Sequence, residues 1–362
     1  MTTDRSSGSL EEETATQAML ASVLAAAVDP ERSTAAWKLI DESHSIVLLA
    51  HERPDPDALG SALGLAHVLS PLGKECVVAC ADPVPANYVS FLPGAAAVVT
   101  ELPHERFDLV IALDAGELSR YGALYTRYQR FFDQATILNL DHHTTSSGCG
   151  NVTIIDPDSA ATAELLTLFV LSWNLPISPD AAECLLAGII TDTRAFEFDA
   201  TTERTLLAGG YLVGCGAVPE KIIKPFYRMK PLPKARLWGI VLDRSLRSTA
   251  EGRIVWASVR KEYLREAGAT SDMDDGLVNY LLDVDGVAFS VLFSELDTTT
   301  TKLSIRTAAP YDAAAIAAHF GGGGHVRAAG VTVPLAIETA VDTVIAYIEA
   351  TLTEAHDQQG RE

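Results

Sequence analysis

Apolar residues along the chain fall into two patterns. Short, nearly unbroken runs rich in Val, Ile and Leu occur at 46–50, 76–81, 109–113, 136–140 and 152–155, each bounded by turn-forming residues. Runs of that length without polar alternation mark parallel strands covered on both faces. The stretches 59–70, 162–173 and 181–190 read as helices between or after them. The pattern over about the first 200 residues therefore predicts a doubly wound α/β domain. Ahead of it, 1–17 is polar and reads as a disordered tail, 18–28 as an Ala-rich helix ended by Asp29-Pro30, and 34–41 as a second helix. Farther on, 253–259, 287–293 and 302–307 alternate like strands, and 313–319 and 337–352 fit helices, which predicts a smaller α+β domain. No internal repeat is evident.

Between the two lies KIIKPFYRMKPLPKAR (221–236), with three prolines, six basic residues and no acidic one. Proline density predicts a linker. The expected organisation is a tail at 1–17, a first domain at 18–218, a linker at 219–245, a second domain at 246–354 and a tail at 355–362.

Composition narrows the class. With 48% hydrophobic and 21% charged residues in 362, the chain is globular and large enough for two domains. Its 48 acidic against 27 basic residues give a net charge of -21, which argues against coating long nucleic acid. Small anionic substrates stay open where something local reverses the field. The basic stretch would do so by steering anions, or would be a solvated linker; both readings fit. Five scattered cysteines (Cys76, Cys80, Cys149, Cys184, Cys215) without a CxxC suggest thiols of a reducing compartment. There is no basic n-region with an apolar core near the start and no run of about 18 apolar residues, so a cytoplasmic protein without a membrane span is expected.

Chemistry gathers where strands end. The first strand leads into His51 and then Asp55 and Asp57 in ERPDPDALGS; the third ends at Asp114; the fourth ends at Asp141, His142 and His143. Ligands of doubly wound sheets bind outside the carboxyl ends of the strands, so these residues should converge. Asp192, in GIITDT after an apolar helix, is a further contributor. Residues before proline are pushed from the helical region, so Arg53 and Asp55 should be extended and Asp55 and Asp57 should face the same way. Taken alone, that pair reads most simply as an N-cap at Asp57 with Asp55 on a solvated turn. Taken with Asp114, His142, His51 and Asp192, it reads as a metal site. Four carboxylates and two imidazoles without a thiolate suit Mn²⁺ or Mg²⁺. Six ligands are too many for one metal with open positions and suit two metals sharing a carboxylate and a water. Four Asp charges also balance two divalent ions.

These segments, HERPDPDALGS, the lone Asp114, LDHH and GIITDT, resemble the four motifs of the DHH phosphoesterase family, and GGGGHVRAAG (321–330) resembles the hallmark of its DHH-associated C-terminal domain. The compact arrangement is similar to the bifunctional oligoribonuclease and 3'-phosphoadenosine-5'-phosphate phosphatase group, including members that degrade cyclic di-AMP. The resemblance implies one Mn²⁺ on His51, Asp55 and Asp114 and a second on Asp57, Asp114, His142 and Asp192, with Mg²⁺ or Co²⁺ as substitutes. It implies that Asp141 orients a ligand histidine and that His143 faces the substrate phosphate. A homodimer acting on small nucleotides and very short RNA, without long duplex nucleic acid or membrane as partners, is expected.

Glycine loses the most freedom on folding, so the run Gly321, Gly322, Gly323 and Gly324 makes sense where backbone must approach a ligand. His325 and Arg306 are its expected polar partners, with His319 and Asn279 as weaker candidates. The expected reaction is phosphoester hydrolysis, with a hydroxide shared by two metals attacking phosphorus in line. Two rival readings are a manganese inorganic pyrophosphatase, disfavoured by the glycine motif, and a non-catalytic cyclic-dinucleotide sensor, disfavoured by the intact metal motifs.

Overall fold

The computed structural model describes residues 6–249 and 251–359, with side chains at 15–249, 251–324 and 326–352. The chain divides into two compact units, Met1–Met229 and Lys230–Glu362.

In the first unit the five apolar runs form strands β1 (Ser45–Ala50), β2 (Glu75–Cys80), β3 (Leu109–Leu113), β4 (Ile137–Asp141) and β5 (Val152–Ile155). They pair in parallel in the order β2-β1-β3-β4-β5. Alternate side chains of these strands enter two separate cores, which is why the runs are continuously apolar. Ile46, Leu48 and Ala50 of β1 pack with helices α1 (Ser6–Ala25), α2 (Pro30–Glu42), α3 (Pro56–Leu69), α6 (Thr162–Ser172), α7 (Pro179–Asp192) and α8 (Glu203–Gly214). Val47 and Leu49 pack on the other face with Tyr121 and with the short helices α4 (Gly122–Arg127) and α5 (Gln129–Phe132). Close contact between α3 and α7 rests on glycine: a Cβ on Gly60 would lie 2.3 Å from the Cys184 carbonyl oxygen.

Two expectations need correction. The stretch read as a disordered tail at 1–17 lies outside the described residues up to 5, but 6–17 belongs to α1. Gln17 donates from Nε2 to the Tyr211 carbonyl at 2.7 Å, a tertiary anchor invisible to composition. The stretch read as a linker at 219–245 is mostly helical: α9 (Pro219–Ile223), a π turn over Lys224–Arg228, and α10 (Leu232–Ser245). Ile222 is buried in the first unit and Leu237 and Val241 in the second, so apolar anchors override the proline signal, and Pro219 and Pro233 sit in first turns, where proline is tolerated. Lys221 pairs with Glu183 and Lys224 with Glu220, so part of the basic charge is spent locally.

The second unit has a mixed sheet of β6 (Arg247–Ser248), β7 (Ile254–Val259), β8 (Phe289–Glu295), β9 (Thr301–Thr307), β10 (Gly323–His325) and β11 (Ala328–Val333), in the order β10-β11-β9-β8-β7-β6. Helices α10, α11 (Lys261–Ala267) and α12 (Leu277–Leu282) pack on one face, and α13 (Ala313–His319) and α14 (Ile337–Gln359) on the other. The last helix runs into the stretch read as a tail at 355–362, of which 360–362 lie outside the described residues. All five cysteines are free. Among the described residues, no single helix is long and apolar enough to cross a membrane.

Candidate metal centre

Strand order reverses between β1 and β3, and there the carboxyl ends open a crevice. His51 follows β1, Asp114 follows β3, and Asp141 ends β4 with His142 and His143 next. Asp114 holds a left-handed backbone, φ +58°, uncommon for a residue with a side chain and typical of functional turns.

The turn after β1 departs from the local rule at one residue. Asp55 is extended as expected, but Arg53 has φ +52°. Its amide donates to Asp82 Oδ2 at 2.6 Å, so a tertiary hydrogen bond outweighs the pre-proline preference. The cap role also falls elsewhere than expected. Asp55 caps α3, its Oδ1 accepting from the amides of Asp57 at 3.1 Å and Ala58 at 2.9 Å. Asp57, wholly buried, serves a different helix: it accepts from the Thr162 amide at 2.7 Å and the Ala163 amide at 2.9 Å in the first turn of α6.

Six of the side chains meet in two triads. His51 Nε2 stands 3.6 Å from Asp55 Oδ2 and 3.5 Å from Asp114 Oδ2. His142 Nε2 stands 3.3 Å from Asp192 Oδ2, 4.0 Å from Asp57 Oδ2 and 3.6 Å from Asp114 Oδ1. The two oxygens of Asp114 thus face one triad each. These gaps exceed hydrogen-bond length. The His142–Asp192 gap falls within the roughly 3.0–3.4 Å between two donors on one ion, and the other four are wider by about 0.1–0.6 Å.

Hydrogen bonds fix the orientation of both imidazoles. The Nδ1–H of His51 donates to the Glu52 carbonyl at 2.8 Å and that of His142 to the Ser159 carbonyl at 3.1 Å, leaving each Nε2 toward the carboxylates. His142 Nε2 is buried with no hydrogen-bond partner, as fits an atom reserved for a cation. Asp141 orients His143 instead of either of these: its Oδ1 accepts from His143 Nδ1 at 2.7 Å and from the amides of His142 and His143. His143 is partly exposed.

The electrostatics favour positive charge. Burial pushes Asp57 well up, and Asp114 and Asp192 add to it; burial likewise lifts Asp192 to about 6. Burial pulls His51 and His142 down, but Asp114 and Asp55 around the first and Asp192, Asp57 and Asp114 around the second win and raise each to about 10. Carboxylates that repel one another and imidazoles that hold protons describe one demand, for a cation.

Sequence reasoning missed the residues that carry this arrangement. Thr162 donates from Oγ1 to Asp114 Oδ1 at 2.8 Å, and Gly188 of α7 lies so close that a Cβ would sit 2.4 Å from Asp57 Oδ1. One signal was readable: Glu164 stands as a lone charge in the apolar run 162–171 and is fully buried.

In the second unit, Arg306 of β9 and Asn279 of α12 are brought together, with Arg306 Nε donating to Asn279 Oδ1 at 2.8 Å. The glycines divide. A Cβ on Gly322 would lie 2.4 Å from the Gly330 carbonyl and one on Gly324 2.6 Å from the Ala328 carbonyl, so these two let β10 approach β11. Gly321 needs its positive φ of +83°, and Gly323 faces open space. Strand pairing therefore accounts for two of the four glycines. His319 stacks on Tyr347 at 3.9 Å between centroids. The backbone of His325 pairs with Ala328, which pairs with Arg306, while its side chain lies outside the described residues.

Residues 45–189 match the model of the DHH family, N-terminal domain, and residues 253–354 that of the DHHA1 domain. The chain is 33% identical over 316 residues to the bifunctional oligoribonuclease and PAP phosphatase NrnA of Thermus thermophilus, covering 86% of this chain and 91% of that protein. To the cyclic-di-AMP phosphodiesterase GdpP of Geobacillus thermodenitrificans it is 25% identical over 359 residues, 90% of this chain and 49% of that one. Its fold is similar to the crystal structure of an exopolyphosphatase-related protein from Bacteroides fragilis, with a TM-score of 0.81 at 24% identity over 90% of this chain and 99% of that chain.

Proposed function

The chain belongs to the DHH family of metal-dependent phosphoesterases, and from that membership we propose that it is a manganese enzyme hydrolysing cyclic di-AMP, pApA, short oligoribonucleotides and 3'-phosphoadenosine 5'-phosphate to mononucleotides. The observation that carries the reading is the pair of triads facing the two oxygens of Asp114, each with a histidine Nε2 turned inward. Carboxylate and imidazole donors without sulfur suit a hard or borderline ion such as Mn²⁺. His51, Asp55 and Asp114 would hold one ion, and Asp57, Asp114, His142 and Asp192 the other. Bound there, the ions supply charge neutralisation at the phosphate oxygens and a lowered pKa for the attacking water.

The chain's own groups do the rest. Asp141 holds His143 by Nδ1 and raises its pKa, so Nε2 is kept as a proton-bearing donor for a phosphate oxygen. Thr162 and the α6 amides fix Asp57 and Asp114 against displacement. In the second unit, Arg306, steadied by Asn279, is assigned to substrate phosphate or base, with Gly321–Gly324, His325 and His319 around it. The match to the DHHA1 domain favours this reading over an inorganic pyrophosphatase.

The test is a comparison of kcat/KM for cyclic di-AMP, pApA and 3'-phosphoadenosine 5'-phosphate with Mn²⁺, following AMP or phosphate. Turnover of at least one of them, lost on chelation, is expected. Tight binding of cyclic di-AMP without turnover of any would instead identify a sensor.

A further inference from the structure

Behind the second triad lies an ion-pair network that the proposed chemistry does not use. Arg204, near the start of α8, donates from Nε to Glu164 Oε1 at 2.7 Å, and from Nη2 to Asp156 Oδ2 at 3.0 Å and Ser159 Oγ at 2.9 Å. Ser159 Oγ in turn donates to Asp156 Oδ2 at 2.8 Å, and Glu164 Oε2 accepts from the Ala160 amide at 3.0 Å. One guanidinium therefore ties both ends of the turn between β5 and α6. A planar fork with several fixed donors does this; an ammonium on a flexible stem does not.

What that turn presents to the centre is one-sided. The Ser159 carbonyl takes the His142 Nδ1–H, the Thr162 and Ala163 amides take Asp57, and the Thr162 hydroxyl takes the Asp114 oxygen that faces His142. His51 is held instead by the Glu52 carbonyl, and Asp55 by the α3 amides. We infer that Arg204 and Glu164 are positioning residues for one cation position alone, that of Asp57, His142 and Asp192, and leave the His51–Asp55 position untouched. The inference rests on the two-cation reading above.

The experiment uses the full-length protein and two readouts. Calorimetric titration with Mn²⁺ counts sites and affinities in wild type, Arg204→Gln and Arg204→Lys. In the metal-free protein, proton NMR follows the hydrogen-bonded Nδ1–H signals of His142 and His51. Arg204→Gln should weaken one site by about 10–100-fold, the range for losing an orienting partner, and leave the other within about twofold. It should also lose the His142 signal while keeping that of His51, and Arg204→Lys should fall between. Removing the guanidinium strands the buried Glu164 charge, so Arg204→Gln can fail to fold. Ser159→Ala then replaces it, deleting only the Oγ link, with the same selective weakening expected. Equal weakening of both sites, no weakening, or an intact His142 signal overturns the inference. A wild type that takes up a single ion refutes the two-cation reading instead, and the imidazole signals still decide whether Arg204 holds His142.

Discussion

Gly188→Ala puts one methyl group against the candidate centre. The added Cβ would meet Asp57 Oδ1 at 2.4 Å and Ala163 Cβ at 2.6 Å, with the Asp57 Cα at 3.2 Å. Ordinary contact requires a retreat of about 1 Å, and the methyl of Ala163 blocks the sideways route. Asp57 cannot retreat cheaply, since both its oxygens accept from α6 amides. Alanine is worth about 1 kcal/mol over glycine in a helix, against about 1–3 kcal/mol for overpacking and about 1.5–3 kcal/mol for a weakened charge-assisted hydrogen bond. The net expectation is a loss of about 1.5–5 kcal/mol, or at least about 3 °C in the melting of a unit this size. Hydrolysis should fall by about a hundredfold, as for a catalytic group misplaced by about 1 Å. Gly210 in α8 is the internal control, because a Cβ there meets nothing within 4 Å. Gly210→Ala should raise stability by about 0.5–1 kcal/mol and leave turnover unchanged. Differential scanning calorimetry with a Mn²⁺-dependent pApA assay reads both. If Gly188→Ala melts no lower than Gly210→Ala and turns over like wild type, the packing argument is wrong.

Three further outcomes follow from the same geometry. Asp114→Ala removes the carboxylate that both triads face and should lower hydrolysis by several orders of magnitude with the circular dichroism spectrum retained; retained activity would sink the shared-ligand assignment. His51 and His142, each raised to about 10, carry protons near neutral pH in the metal-free protein, so metal must expel them and affinity should rise with pH. Calorimetry in buffers of different ionisation enthalpy should show proton release on full loading, and heats independent of buffer would contradict this. Arg306→Gln should raise KM for pApA by about 10-fold or more, the worth of a charge-assisted hydrogen bond, with Mn²⁺ affinity unchanged; an unchanged KM would remove Arg306 from substrate binding.

The parallel sheet was readable because its strands are buried on both faces and so spell continuous apolar runs, as in VIAL and IVLLA. The ligand-type residues were readable because a doubly wound sheet puts its chemistry at strand ends. Local rules failed where a distant residue decides: Asp82 turns Arg53 left-handed, and Tyr211 anchors Gln17 in a stretch whose composition looked unstructured. The four-glycine run was ambiguous in another way, since sequence shows that backbone must come close to something, and at Gly322 and Gly324 the neighbouring strand is one such approach. Ser159 and Thr162 were invisible because they reach the centre largely through a backbone carbonyl and amide, which every residue type carries, and Arg204 because its side-chain partners lie 40 to 48 positions away. Glu164, a lone acid in an apolar helix, was the one overt sign that something lay beneath the centre.

The central claim is that two cations sit side by side on the two oxygens of Asp114. Electron paramagnetic resonance of the protein titrated with Mn²⁺ measures this directly, because ions sharing a carboxylate are exchange-coupled. The account predicts a coupled multiline spectrum that grows to two equivalents and vanishes in Asp114→Ala. Only the simple sextet of isolated manganese at saturation would contradict it.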